Sequence, residues 1–167
     1  MRKKILAAIE AVRPFVPSDQ LKCIVDGLRW SEERGWFRDN LFELLNVIET
    51  MPVTYAQSEL GDEAVVHLHY FYGSCDWWIT EKDMEGGVDQ AFGLVDMGHG
   101  PELGYISIRE IVSLRVANID QHWTPITLRE LKAKKYPLKS PPSPKYTVAD
   151  VVNVQDYFAT APTGQVH

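Results

Sequence analysis

The sequence has little of what marks secreted, zinc-binding or membrane-spanning proteins. Its 167 residues include only two cysteines, Cys23 and Cys75, too few for a disulfide framework or a cysteine zinc site. The apolar runs are only a few residues long, so no transmembrane span is expected. Glu10 and Arg13 interrupt the N-terminal apolar stretch, which therefore does not match a secretory signal peptide. We expect a cytoplasmic protein whose two thiols are reduced.

Basic residues are scarce in the middle of the chain. Residues 59–102 contain ten acidic side chains and one basic side chain, Lys82, in a protein whose net charge is -6. Proteins that bind a phosphate backbone generally carry a basic excess, so direct nucleic-acid binding is not expected. Clustered acids either lie in solvated turns or form a surface that docks on a basic partner. The charges alone leave both interpretations open.

Apolar spacing predicts helices in the first fifty residues and strands after them. Apolar side chains recur at helical spacing along the segments 5–12, 21–28 and 37–48. From residue 65 onward, short runs rich in β-branched and aromatic residues are separated by turn residues. Strands are expected at 65–72, 76–80, 91–95 and 103–107, with a short edge strand in 119–123.

These elements predict an α+β fold. An N-terminal helical subdomain packs with an antiparallel sheet of four to five strands, and short helices follow it. Two helices are expected to begin at capping boxes, in which a hydroxyl and a carboxylate each accept from a backbone N–H. The boxes are Ser107 with Glu110 and Thr127 with Glu130. The expected divisions are 1–52 for the helical subdomain, 53–132 for the sheet and capped helix, and 133–167 for a proline-rich linker and tail.

Two histidines give one candidate for chemistry. His67 and His69 are two residues apart on a predicted strand, a spacing that points both imidazoles to one face. Such pairs bind metal ions when further ligands complete the shell, and Asp96 and His99 are candidates. This set defines one alternative, a metal-dependent hydrolase or nuclease. Phe71 on the same face favours histidines that simply pack in a core or interface, and on that interpretation no cofactor is expected.

Two adjacent tryptophans give another candidate. Trp77 and Trp78 are neighbours in a predicted strand, so their rings point to opposite faces. If only one face is buried, the second ring is covered by helices or is exposed as a binding anchor. An exposed ring stacks on unpaired bases, which defines the second alternative, a single-stranded nucleic-acid-binding protein. The surrounding acids Asp76, Glu81 and Asp83 disfavour a phosphate backbone at this place.

Three stretches of the sequence resemble an uncharacterised family of domains of unknown function. They are Asp76-Trp-Trp-Ile-Thr-Glu-Lys-Asp83, Ala91-Phe-Gly-Leu-Val-Asp-Met-Gly98 and Glu102-Leu-Gly-Tyr-Ile-Ser-Ile-Arg-Glu110. Their patterns are W-x-x-T-E, F-G-L-x-D and E-L-G-Y-x-S-x-x-E. The resemblance covers about residues 53–131. Within the family, the chain resembles a longer subgroup whose members carry a helical N-terminal extension. Members of this family are encoded on phages, plasmids and conjugative elements.

The resemblance implies an accessory protein of a mobile genetic element and brings no catalytic residue with it. Together with the acidic segment, it favours a non-enzymatic counter-defence inhibitor of the anti-CRISPR or anti-restriction type, acting in the host cytoplasm. The expected partner is a host defence protein or nucleoprotein complex that handles nucleic acid. The expected partner-binding residues are Asp76, Trp77, Trp78, Glu81, Asp83, Glu85 and Asp89.

Overall fold

Three helices begin the chain in the computed structural model, which describes residues 1–137. They are α1, Arg2–Val12; α2, Ser18–Trp30; and α3, Arg34–Thr50. A single 3₁₀ turn, Arg13–Phe15, follows α1, because Pro14 lacks the N–H that a continuing helix needs. Leu6, within the expected apolar segment 5–12, is 52% exposed, but each helix buries other residues of the stripe expected from its sequence. Examples are Val12, Ile24 and Leu41.

A five-stranded antiparallel sheet follows the helices. Its strands are β2, Leu68–Tyr72; β3, Cys75–Glu81; β4, Ala91–Asp96; β5, Pro101–Ile106; and β6, Asn118–Ile119. Their spatial order is β5-β4-β3-β2-β6, so successive strands from β2 to β5 are joined as a meander and β6 pairs at the β2 edge. The α+β architecture predicted from the sequence is confirmed.

The predicted strand 65–72 is interrupted in the structure. The residues Val65–Val66 form β1, which pairs with β7, Ile126–Thr127, in a separate two-stranded sheet. His67 follows β1, and its backbone N–H donates to the carbonyl of Ile79 at 2.8 Å. The prediction of one continuous strand was wrong, because the start of this run pairs with a segment about sixty residues later.

Short helices complete the described part of the chain, and both begin at the predicted capping boxes. The helix α4, Ile108–Ser113, begins after Ser107, whose hydroxyl accepts from the Glu110 N–H at 3.2 Å. The helix α5, Leu128–Lys135, begins with both halves of its box formed. Its Thr127 hydroxyl accepts from the Glu130 N–H, and the Glu130 carboxylate accepts from the Thr127 N–H.

Both faces of the sheet are buried near its centre. Trp77 packs with the helices in a hydrophobic core that also contains Tyr70, whose hydroxyl donates to the Phe15 carbonyl at 2.7 Å. Trp78 points to the other face, where Leu131 of α5 lies beside it. The two tryptophans are 8% and 1% exposed. Neither ring therefore offers an exposed face for stacking on bases.

Residues Met1–Lys135 form one compact unit. The linker and tail expected at 133–167 lie almost entirely outside the described residues. Within 1–137, no helix has both the length and the apolar character required to cross a membrane.

Candidate functional site

The three stretches that carry the family resemblance meet at one cavity. Its volume is about 260 Å³, and we call it the Glu81 cavity. It lies where β3, β4 and β5 run side by side, beneath the segment that connects α3 to β1. The residues that the three stretches contribute to its lining are Thr80, Glu81, Phe92, Leu103 and Tyr105.

Strand register explains why these side chains converge. Glu81 pairs with Phe92, and Phe92 pairs with Tyr105, so the three side chains stand in a row across the sheet. An irregularity in the β3–β4 register between Ile79 and Glu81 interrupts the usual alternation of side chains. Because of it, the adjacent residues Thr80 and Glu81 both line the cavity.

The Glu81 carboxylate is the charged group of this cavity. Glu81 is only 3% exposed, and one of its oxygens accepts from the Tyr55 N–H at 2.9 Å. Its other oxygen accepts a short hydrogen bond from the Gln57 N–H. The residues that line the cavity include no lysine, arginine or histidine. Backbone N–H donors therefore hold the carboxylate, and no basic side chain of residues 1–137 lines the cavity.

Tyr55 adopts an unusual backbone conformation at the rim of the cavity. Its φ of 77° lies in the left-handed region, and it is the only residue other than glycine within 1–137 with a positive φ. Its hydroxyl lies 2.7 Å from the Tyr105 hydroxyl. This hydrogen bond, followed by smaller effects that include the Glu81 charge, raises the pKa of Tyr105 above its ordinary value. Strained backbone of this kind is concentrated at functional sites in proteins.

An acidic groove adjoins the Glu81 cavity. The groove has a volume of about 490 Å³ and shares Thr54 and Tyr55 with the cavity. Its charged lining residues are all acidic: Asp83, Glu85 and Asp89. Arg109, outside the groove lining, donates two hydrogen bonds to Asp89 at 2.6 and 2.9 Å and holds the pKa of that carboxyl below its ordinary value.

The structure divides the seven expected partner-binding residues into two groups. Asp76, Trp77, Trp78 and Glu81 are buried. The other three, at positions 83, 85 and 89, line the acidic groove at the surface. The exposed part of the expected set is therefore one continuous patch. Of the buried group, only Glu81 lines the cavity that adjoins this groove, and the cavity and the groove share Thr54 and Tyr55.

Other acids of the segment 59–102 pair with basic residues that come later in the chain. Lys132 lies 2.6 Å from the Asp62 carboxylate, and Arg129 lies 2.5 Å from that of Glu63. Both pairs join the segment before β1 to α5. Folding thus neutralises part of the acidic segment with basic side chains, including Asp89 of the groove, and leaves Asp83 and Glu85 as the acidic surface of the groove.

A histidine network lies on the face of the sheet that carries Trp78. The His69 ring stacks on Trp78 with centroids 5.4 Å apart. Its Nε2 lies 2.8 Å from an Asp76 oxygen, and its Nδ1 lies 3.4 Å from an Asp120 oxygen. Lys135 contacts the second Asp76 oxygen at 2.9 Å. No signal in the sequence indicated Asp120 and Lys135 as members of this network. Asp120 is 51 positions from His69, and Lys135 is 59 positions from Asp76.

The four residues proposed as a metal set do not form one cluster. His67 lines a cavity of about 160 Å³ against α2 and α3, whereas His69 lines a different cavity against α5. One Asp96 oxygen accepts from two backbone N–H groups of the turn that follows it, at 2.8 and 3.3 Å. His99 is exposed in that turn. Within residues 1–137, no group of three potential ligands is placed to hold a metal ion.

His67 should make stability depend on pH. Burial lowers the pKa of His67 below its ordinary value, so the folded protein binds this proton more weakly than the unfolded chain. The stabilisation is fully present above about pH 6.5 and is lost as the pH falls through the lowered value. We expect His67→Gln to lose less stability than the wild type between about pH 7.5 and about pH 5.5, measured by urea unfolding at each pH.

His99→Gln is the matched control for this experiment, because the exposed His99 ring stays in contact with water in the folded protein. It should show the wild-type loss of stability on acidification. An identical pH dependence in His67→Gln and the wild type would contradict the assignment to His67.

A family match covers most of the residues that line the cavity. Residues 42–122 match the model of a family described as "Protein of unknown function (DUF2958)". This segment is similar to the DUF2958 family. The match confirms the resemblance to an uncharacterised family that the sequence motifs indicated. No curated protein and no solved structure matched the chain.

The matched segment contains nearly all of the Glu81 cavity. It includes the two tyrosines of the rim, and of the cavity lining only Leu128 lies beyond it. Three of the residues that line the cavity, Phe92, Leu103 and Tyr105, belong to the stretches that carry the family resemblance. The alternation of Leu103 and Tyr105 along β5 does place them on one face. Tyr55 and its contact with Glu81 gave no comparable signal, because the two are 26 residues apart.

Proposed function

We propose that the protein is a non-enzymatic accessory protein of a mobile genetic element that inhibits a host defence system. In this proposal, it binds a host effector that handles nucleic acid, of the CRISPR or restriction type, and occupies a basic surface of that effector. Such an inhibitor acts by charge complementarity and mass action, so it needs no catalytic group. The resemblance to proteins encoded on phages, plasmids and conjugative elements supports the biological setting.

The observation that carries the proposal is the acidic groove. Every charged residue that lines it is a carboxylate, and the groove continues into the Glu81 cavity through Thr54 and Tyr55. Met84 is 67% exposed between two of the acids and supplies apolar contact area beside the charges. A concave acidic surface with an exposed apolar side chain suits a basic surface built to hold nucleic acid.

Charge removal in the groove tests the proposal. The variant Asp83→Asn/Glu85→Gln/Asp89→Asn keeps the side-chain shapes and removes three charges. Glu81 stays unchanged in this variant, since it is buried and holds backbone donors. We expect the wild type to increase the recovery of phage or plasmid DNA that enters a host with an active restriction or CRISPR system. The variant should lose this protection about ten-fold or more, because it lacks the charges that attract the basic surface.

A matched variant controls for net charge. Asp26→Asn/Glu32→Gln/Glu33→Gln removes the same number of charges from exposed positions in the helical region, none of which lines the groove. It should protect as well as the wild type, and circular dichroism should show that both triple variants are folded. Full protection by the groove variant would disprove docking through the groove. Lack of protection by the wild type against restriction and CRISPR systems alike would disprove the counter-defence function.

A further inference from the structure

We propose that the Glu81 cavity takes up one arginine side chain of the partner protein. This inference rests on the proposed function, which supplies the partner protein. It adds the chemical group that the partner inserts. The cavity itself can be tested without that partner.

The buried carboxylate favours a cationic occupant. Glu81 is 3% exposed, and each of its oxygens accepts one backbone N–H, from Tyr55 and Gln57. Each oxygen retains acceptor capacity for a further donor. A buried carboxylate without a cation is costly, and a cation that enters the cavity offsets this cost. A guanidinium offers paired donors in a fixed fork, which suits two carboxylate oxygens better than a single ammonium does.

The walls of the cavity favour the same group. Phe92 and Tyr105 are packed edge to face with centroids 5.5 Å apart, and Tyr55 approaches Tyr105 with centroids 6.4 Å apart. Aromatic faces attract cations, and the flat guanidinium also stacks on them. Tyr55 and Tyr105 are 63% and 58% exposed, and Leu103 is 50% exposed, so the rim is accessible from solvent. The volume of about 260 Å³ suffices for the end of an arginine side chain.

The adjoining groove supplies the charge complementarity that specifies a basic segment. Its carboxylates at positions 83, 85 and 89 lie beside the same Thr54 and Tyr55 that line the cavity. They attract the basic residues that flank an inserted arginine and raise the rate of encounter. The groove thus attracts a basic segment of the partner, and the cavity binds one arginine of that segment.

The test uses Nα-acetylarginine amide as a probe of the wild-type protein. Its neutral isostere, Nα-acetylcitrulline amide, is the matched control ligand. The backbone amide resonances of Tyr55 and Gln57 report on the cavity, because both N–H groups bond to Glu81. In two-dimensional NMR titrations we expect saturable shifts of these two resonances with the arginine probe and at least about ten-fold weaker binding of the citrulline probe. Equal shifts with both probes, or no shift with either, would overturn the inference.

Two variants locate the bound group. Glu81→Gln removes the charge, and Leu103→Trp fills the exposed wall while Glu81 stays in place. Each should weaken binding of the arginine probe about ten-fold or more. The second variant keeps the test valid if Glu81→Gln does not fold. Wild-type affinity in folded Leu103→Trp would overturn the inference.

The groove variant separates this inference from the proposed function. Asp83→Asn/Glu85→Gln/Asp89→Asn should still bind the arginine probe, because Glu81 and the aromatic walls are unchanged. Saturable probe binding at Tyr55 and Gln57 therefore supports the cavity assignment even if host protection fails. Absence of probe binding overturns it even if host protection is observed.

Discussion

Replacement of Gly93 by alanine is expected to lower the free energy of unfolding by about 3 kcal/mol or more. A Cβ at this position would lie 2.0 Å from the carbonyl oxygen of Trp78 and 2.9 Å from its carbonyl carbon. Both atoms belong to the backbone of β3, so they can move away only if the pairing of β3 with β4 is disturbed. Urea unfolding followed by circular dichroism measures the loss.

Gly104→Ala is the matched control. Gly104 lies directly opposite Gly93 in the β4–β5 pair, but a Cβ there meets no other atom within 4 Å. Its replacement should change stability by no more than about 0.5 kcal/mol. Equal losses in the two variants would indicate a general effect of alanine in strands and contradict the role assigned to the close approach at Gly93.

Trp78→Ala is expected to cost about 3–5 kcal/mol of stability, the range typical of large aromatic side chains removed from a core. Trp78 is 1% exposed, and its ring stacks on His69 with centroids 5.4 Å apart. The amino group of Lys135, which is on α5, lies 5.6 Å from the centroid of the Trp78 ring. The substitution therefore leaves a cavity and also removes contacts that support the histidine network and α5.

Trp30→Ala provides the comparison for this change. Trp30 is the last residue of α2 and is 81% exposed, so its removal should alter stability by no more than about 0.5 kcal/mol. Chemical unfolding of both variants under the same conditions measures the difference. A loss at Trp78 as small as that at Trp30 would contradict the burial of Trp78 beneath α5.

The local pattern of the sequence determined most of the fold. Helical spacing of apolar residues predicted the three N-terminal helices, and the capping boxes predicted the start of α4 and α5. The meander from β2 to β5 followed from strand runs separated by short turns. All of these features depend on residues within a few positions of one another, so the sequence displays them directly.

Only the tertiary structure decided which acidic side chains reach solvent. In the sequence, residues 59–102 form one acidic segment. In the folded protein, Glu81 and Asp76 are buried and Asp62 pairs with Lys132. The Glu81 cavity depends on the register of three strands and on the contact of Tyr55 with Glu81 across 26 positions. Contacts of this length have no local signature, because the residues involved become neighbours only when the chain folds. The sequence thus determined the elements of this protein, and the tertiary structure decided where its charges and its candidate binding site lie.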